Sequence, residues 1–93
     1  MEIVLDGRGW QTEAEVFEAV LASVDAPSWH GRNYNALRDS FVTGSINGIE
    51  PPYDFTIRML PDAPPEVVEE VRYFIARICE WSAEEAQLSV RLG

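Results

Sequence analysis

Three short segments with strand character lie far apart in this chain, and a helical pattern fills each gap between them. The segments cover residues 2–6, 53–59 and 87–92, and the middle one alternates apolar and polar side chains. A helical crossover between successive strands favours parallel pairing with a right-handed connection. The sequence therefore predicts a two-layer α/β fold, in which a three-stranded parallel sheet of order 1-2-3 carries its helices on one face.

Capping signals and apolar stripes predict helices at residues 12–25 and 33–43, and a long helix that starts at residues 62–65 and has an apolar stripe as far as Cys79. Thr12 and Glu15 have the spacing of a capping box, and the Asn33 side chain can cap the second helix. Cys79 stands at helical spacing from Ile75, which predicts a small core residue rather than a reactive thiol. Because it is the only cysteine, no intrachain disulfide is expected.

The length of 93 residues predicts a single domain, 1–93, because the chain is too short for two hydrophobic cores. The 16 acidic residues outweigh seven arginines and give a net charge of −9, which argues against direct binding of nucleic acid. This balance suits a basic partner, although many proteins are acidic simply for solubility. We expect a cytoplasmic protein without a membrane partner, because no apolar run reaches ~20 residues and no signal-peptide pattern opens the chain.

Residues 27–39 have the composition of a recognition surface. Pro27 and Gly31 bracket two amphipathic rings, Trp29 and His30, in a segment too broken to be a helix. In the helix that follows, one stripe has the spacing i, i+3, i+4, i+7 and consists of Asn35, Arg38, Asp39 and Val42. The sequence thus predicts one surface that combines rings from a loop with polar groups from a helix, as in a protein-binding hot spot.

Catalytic and metal-binding patterns are missing from the sequence. His30 is the only histidine, and no nucleophile or paired carboxylate stands near it at a catalytic spacing. No cluster of His, Cys, Asp and Glu has the spacing of metal ligands. We therefore expect neither an enzyme nor a metal or cofactor site.

The recognition segment resembles the inhibitory loop and second helix of the barstar family of ribonuclease inhibitors. That family has a proline, aromatic residues and the spacing Gly-x-Asn-x-x-Ala-Leu-x-Asp. The matching residues here are Pro27, Trp29, His30, Gly31, Asn33, Tyr34, Asn35, Ala36, Leu37 and Asp39. The likeness is strong over residues 1–44, weak over 45–66 and moderate in the last helix.

The resemblance implies the function of an intracellular inhibitor that occludes the active site of a cognate bacterial ribonuclease or nuclease toxin. In the family, the residue matching Asp39 takes the place of an RNA phosphate, since a carboxylate offers paired oxygens to basic groups. The residue matching Trp29 packs on the ribonuclease, and Glu80 falls where the family has a second acidic contact. The partner-binding residues expected on these grounds are Trp29, His30, Gly31, Asn33, Tyr34, Asn35, Arg38, Asp39, Val42 and Glu80.

Two departures from the family pattern affect the choice of partner. Asn35 stands where the family usually has an acid, and Arg38 stands where its prototype has tryptophan. Residues 29–39 consequently carry a formal charge of +1. Electrostatic attraction of a basic partner must therefore come from acidic residues outside this segment, for example Glu50, Asp54, Glu80, Glu84 and Glu85. The predicted target is therefore a toxin other than barnase. The alternatives are an immunity protein for a toxin that is not a ribonuclease, and a regulatory interaction module.

Overall fold

The computed structural model describes residues 2–43, 46–49, 52–83 and 88–93. Its elements in chain order are β1 (Glu2–Asp6), α1 (Glu13–Ser23), α2 (Tyr34–Arg38), a π-helical turn (Asp39–Thr43), β2 (Tyr53–Arg58), α3 (Pro65–Ser82) and β3 (Leu88–Leu92). No helix in these described ranges has the length and hydropathy needed to cross a bilayer.

The sheet is parallel throughout, and β2 lies between β1 and β3. In the register, Glu2 pairs with Asp54 and Tyr53 pairs with Leu88. Alternate residues of β1 and β2 are buried, so the sheet turns one face to the core and the other to solvent. The predicted α/β fold with strand order 1-2-3 is confirmed.

The short helix α2 and the π-helical turn that follows it are anchored in the core by their inward residues. Leu37 and Phe41 are completely buried. The Phe41 ring stacks on Phe55 of β2 at 5.7 Å between centroids and meets Trp81 of α3 edge-on at 6.1 Å. Aromatic contacts at these distances fix the depth and rotation of the segment. The opposite side of α2 is thereby directed away from the core.

The first two helices end differently from the sequence prediction. The capping box of Thr12 and Glu15 is present, but α1 ends at Ser23 because Asp25 adopts a positive φ of 54°. The second helix is α-helical only to Arg38 and continues as the wider π-helical turn. Such turns leave no signature in an apolar stripe and often occur at functional sites.

The prediction for Cys79 is wrong, because this thiol is exposed. Helix α3 turns another stripe to the core, consisting of Val67, Val71, Phe74, Ile78 and Trp81. Cys79 lies beside that stripe rather than on it. The helix ends at Ser82, three residues past the last member of the predicted stripe, and β2 ends at Arg58, one residue earlier than predicted. Gln87, predicted to open the last strand, lies outside the described residues.

Candidate partner-binding site

A tight turn presents Trp29 to solvent. The backbone N–H of His30 donates to the Pro27 carbonyl oxygen at 3.0 Å, which closes the turn around Ser28 and Trp29. The Trp29 side chain is 74 % exposed. A large ring held open to water in this way is unusual for a packing residue, and it is available to a partner.

The His30 ring points the other way, into the protein, and is only 5 % exposed. Its Nδ1 lies 2.8 Å from the Gly31 carbonyl oxygen, and its Nε2 lies 2.9 Å from the Ser40 hydroxyl. Ser40 is fully buried in the π-helical turn. The structure therefore places His30 beneath the surface, in contact with a serine that sequence reasoning missed. A contact between residues ten positions apart leaves no local signal.

Gly31 and Asn33 fasten the loop to the start of α2. A Cβ atom at Gly31 would lie 3.1 Å from the Ala36 Cβ and 3.1 Å from the Asn33 amide nitrogen, so glycine allows this close approach. The Asn33 side-chain oxygen accepts the Ala36 N–H at 2.8 Å, which confirms the predicted N-cap. Both residues shape the loop from within it.

The predicted stripe spans α2 and the π-helical turn, and only part of it faces away from the core. Asn35 and Asp39 are exposed, whereas Arg38 is half-buried and the half-buried Val42 packs against the core. Within the described ranges, the Asp39 carboxylate makes neither an ion pair nor a hydrogen bond. It is therefore free to accept hydrogen bonds from a partner without first breaking any of its own.

Tyr34 contributes an internal clasp instead of an exposed contact. Its hydroxyl donates to the Glu70 carboxylate at 2.5 Å, and its ring packs edge-on against Phe17 at 5.3 Å and Tyr73 at 4.7 Å. Burial, reinforced by the Glu70 carboxylate, raises the pKa of the Tyr34 hydroxyl well above its usual range. The clasp joins α2 to both α1 and α3.

An ion pair changes the charge balance that the sequence indicates for the loop. The Arg32 guanidinium donates to the Glu18 carboxylate of α1. This hydrogen bonding lowers the pKa of Glu18 and raises that of Arg32. Because Glu18 is far from the loop in sequence, the count of +1 over residues 29–39 omits a negative charge that lies beside it in space.

Glu80 lies on the last turns of α3, next to the buried Trp81, whose ring lies 6.4 Å from Tyr34 and 6.1 Å from Phe41. The end of α3 is thus beside α2 and the π-helical turn. The Glu80 carboxylate is exposed and pairs with Arg77 at 3.0 Å. Glu50, Glu84 and Glu85 lie outside the described residues. Asp54 lies on β2, with its side chain exposed.

A model of one protein family covers almost the whole chain. The family is described as barstar, the barnase inhibitor, and its model matches residues 1–92. The chain belongs to the barstar family. Members of the barstar family are inhibitors of ribonucleases rather than enzymes. A search among curated proteins finds no match.

The expected residues divide into an outer group, formed by Trp29 and the predicted stripe, and a group that supports the loop, whereas Glu80 on α3 belongs to neither. We call the outer group the contact surface; it consists of Trp29, Asn35, Arg38, Asp39 and Val42. His30, Gly31, Asn33 and Tyr34 form the second group and hold the loop and α2 in place, although Asn33 itself is exposed. Across the described part of the chain, no group of three or more His, Cys, Asp or Glu side chains could hold a metal ion.

Proposed function

We propose that this chain inhibits a cognate bacterial ribonuclease, inside the cell that makes it, by covering the active site. The contact surface docks over the cleft, and the Asp39 carboxylate takes the position of a substrate phosphate. The observation that carries the proposal is the Asp39 carboxylate, exposed and without a partner in the described residues, on the same short segment as the exposed Trp29. No covalent step and no cofactor is involved.

The chemistry of a ribonuclease cleft supports this role for a carboxylate. Such a cleft must hold a phosphate, so it presents basic side chains, and a carboxylate can accept charge-assisted hydrogen bonds from them. The chain as a whole carries a charge of −9, which attracts a basic enzyme from a distance. Long-range attraction raises the rate of association, while the residues of the contact surface determine the specificity of the complex.

Inhibition of RNA cleavage, followed by calorimetry, tests the proposal. The natural chain is titrated into a panel of small bacterial ribonucleases that includes barnase, and binding is measured for each enzyme that it inhibits. Asp39→Ala should cost ~2–5 kcal/mol of binding free energy, because the basic groups of the cleft lose their partner. Affinity then falls at least tenfold, since ~1.4 kcal/mol corresponds to a factor of ten.

Two further variants separate charge from shape and from general acidity. Asp39→Asn keeps the shape of the side chain and should lose nearly as much affinity as Asp39→Ala. Asp62→Ala removes an exposed carboxylate outside the contact surface and should leave affinity almost unchanged. Phosphate mimicry through Asp39 is wrong if both Asp39 variants bind like the natural chain.

The polar character of α2 favours a second candidate, in which the target is a toxin whose active-site rim differs from that of barnase. Asn35 is exposed where the family usually has an acid, and Arg38 places a cation on the same stripe. A partner suited to this stripe offers a carboxylate or a carbonyl oxygen opposite Arg38. An immunity protein against a toxin of another chemistry fits the same observation.

A further inference from the structure

Two buried polar side chains each follow directly after an exposed residue of the contact surface. His30 follows Trp29 in the chain, and Ser40 follows Asp39. Both are nearly inaccessible to water, at 5 % and 0 % exposure. Burying polar groups is unfavourable unless they are hydrogen-bonded to each other or to the backbone. The hydrogen bond between them therefore offsets the cost of burying both side chains, which apolar packing alone would not do.

The geometry of this contact assigns a proton to Nδ1, and the direction of the bond at Nε2 follows for the neutral ring. The Gly31 carbonyl oxygen can only accept, so the Nδ1 atom 2.8 Å away carries a proton. In the neutral ring, Nε2 then has a lone pair and accepts the Ser40 hydroxyl proton across 2.9 Å. The same hydroxyl lies 3.1 Å from the Leu37 carbonyl oxygen, which accepts no hydrogen bond from it in this arrangement.

From this arrangement, we propose that His30 and Ser40 are positioning residues. Their hydrogen bond fixes the backbone of Trp29 relative to Asp39, so that the contact surface exists before a partner arrives. The ring joins the loop directly to the π-helical turn, because Nδ1 bonds to Gly31 in the loop and Nε2 bonds to Ser40 in the turn. A surface ordered in advance loses less conformational freedom on binding, which strengthens the complex. The benefit to binding rests on the proposed function, whereas the fixed geometry belongs to the free protein.

Nuclear magnetic resonance of the free protein tests the positioning role without a partner. Because His30 is the only histidine, its two ring nitrogens are assigned without ambiguity. The natural chain should show a proton on Nδ1 and a lone pair on Nε2. Ser40→Ala should shift the Nε2 resonance and lower the backbone order parameter of Trp29 from about 0.85 toward 0.6. A proton on Nε2 in the neutral ring would overturn the assignment and the inference.

A matched serine provides the control. The Ser23 hydroxyl donates to the Val20 carbonyl oxygen at 2.7 Å, three residues back, as the Ser40 hydroxyl can to Leu37. Ser23 has no ring nitrogen as a partner, so Ser23→Ala should leave the order of Trp29 unchanged. If Ser40→Ala leaves it unchanged as well, the hydrogen bond does not position the loop.

Binding to an inhibited ribonuclease provides the second readout. Ser40→Ala should weaken the complex about tenfold, the upper range for a buried hydrogen bond, and Ser23→Ala about twofold or less. Ser40→Cys keeps the shape but donates weakly, so it should lose affinity too. Natural affinity in Ser40→Cys would show that volume, not the hydrogen bond, matters. Unchanged binding in Asp39→Ala refutes the proposed function, whereas Ser40→Ala behaving like Ser23→Ala refutes positioning alone.

Discussion

Replacing Trp29 by alanine should weaken binding strongly while changing the stability of the free protein little. A tryptophan can bury about 250 Å². The side chain is 74 % exposed, which leaves about 185 Å² for a partner to cover. At ~25 cal/mol per Å², complete burial corresponds to about 4–5 kcal/mol, an upper limit because association has its own costs. Central aromatic anchors lose ~2–4 kcal/mol on truncation, or about 30- to 700-fold in affinity.

The same arithmetic limits the effect on folding. The buried quarter of Trp29 amounts to about 65 Å², so Trp29→Ala should cost at most ~1.6 kcal/mol of unfolding free energy. Trp81 is the matched control, because it is the same residue type at 2 % exposure. Trp81→Ala should cost ~3–5 kcal/mol of unfolding free energy, since it empties part of the core.

Titration calorimetry against an inhibited ribonuclease measures the first quantity, and urea denaturation of the free variants measures the second. The reasoning is refuted if Trp29→Ala binds like the natural chain and loses as much stability as Trp81→Ala. That result would make Trp29 a core residue and remove it from the contact surface.

Two further predictions concern partner choice and pH. The natural chain should inhibit barnase weakly or not at all. Arg38→Trp combined with Asn35→Asp should improve inhibition, because these changes restore the family pattern. Tight inhibition of barnase by the natural chain would contradict this prediction. The Tyr34 pKa is raised above its ordinary value of 10.0, first by burial and then by Glu70. The unfolded chain therefore ionises first, so this stabilisation is complete below about pH 10 and is lost as the pH rises above it. Between pH 8 and 11, the unfolding free energy from urea denaturation should fall less in Tyr34→Phe than in the natural chain. An equal fall in both proteins would show that the Tyr34 hydroxyl does not cause the loss of stability.

Features with a local cause could be predicted from the sequence. The capping residues Thr12 and Asn33 act within three positions of themselves, and both caps form as expected. The strand order follows from the alternation of strand and helix patterns, because a parallel pair needs a crossover. The exposure of Trp29 follows from its place between Pro27 and Gly31, where the chain turns at the surface.

Features that depend on distant contacts could not be predicted. The residue type of His30 and its place in the loop are typical of a contact residue. Its hydrogen bond to Ser40 forms only because the loop folds back on the π-helical turn. The burial of Tyr34 depends on rings from two other helices. The exposure of Cys79 could not be predicted from spacing, because a residue at the edge of an apolar stripe can face the core or the solvent, and the buried stripe of α3 continues from Ile78 to Trp81 instead.

The register of the sheet has a consequence for how the chain folds. Its pairs join distant segments, such as Glu2 with Asp54, so no hairpin can form early. Closing such long loops costs entropy before any pairing compensates for it. In refolding followed by pulsed hydrogen exchange, amides of α3 should gain protection before those of β2, and the reverse order would contradict this. Because α2 and its loop lie in the segment between β1 and β2, the contact surface is completed only when these two strands pair.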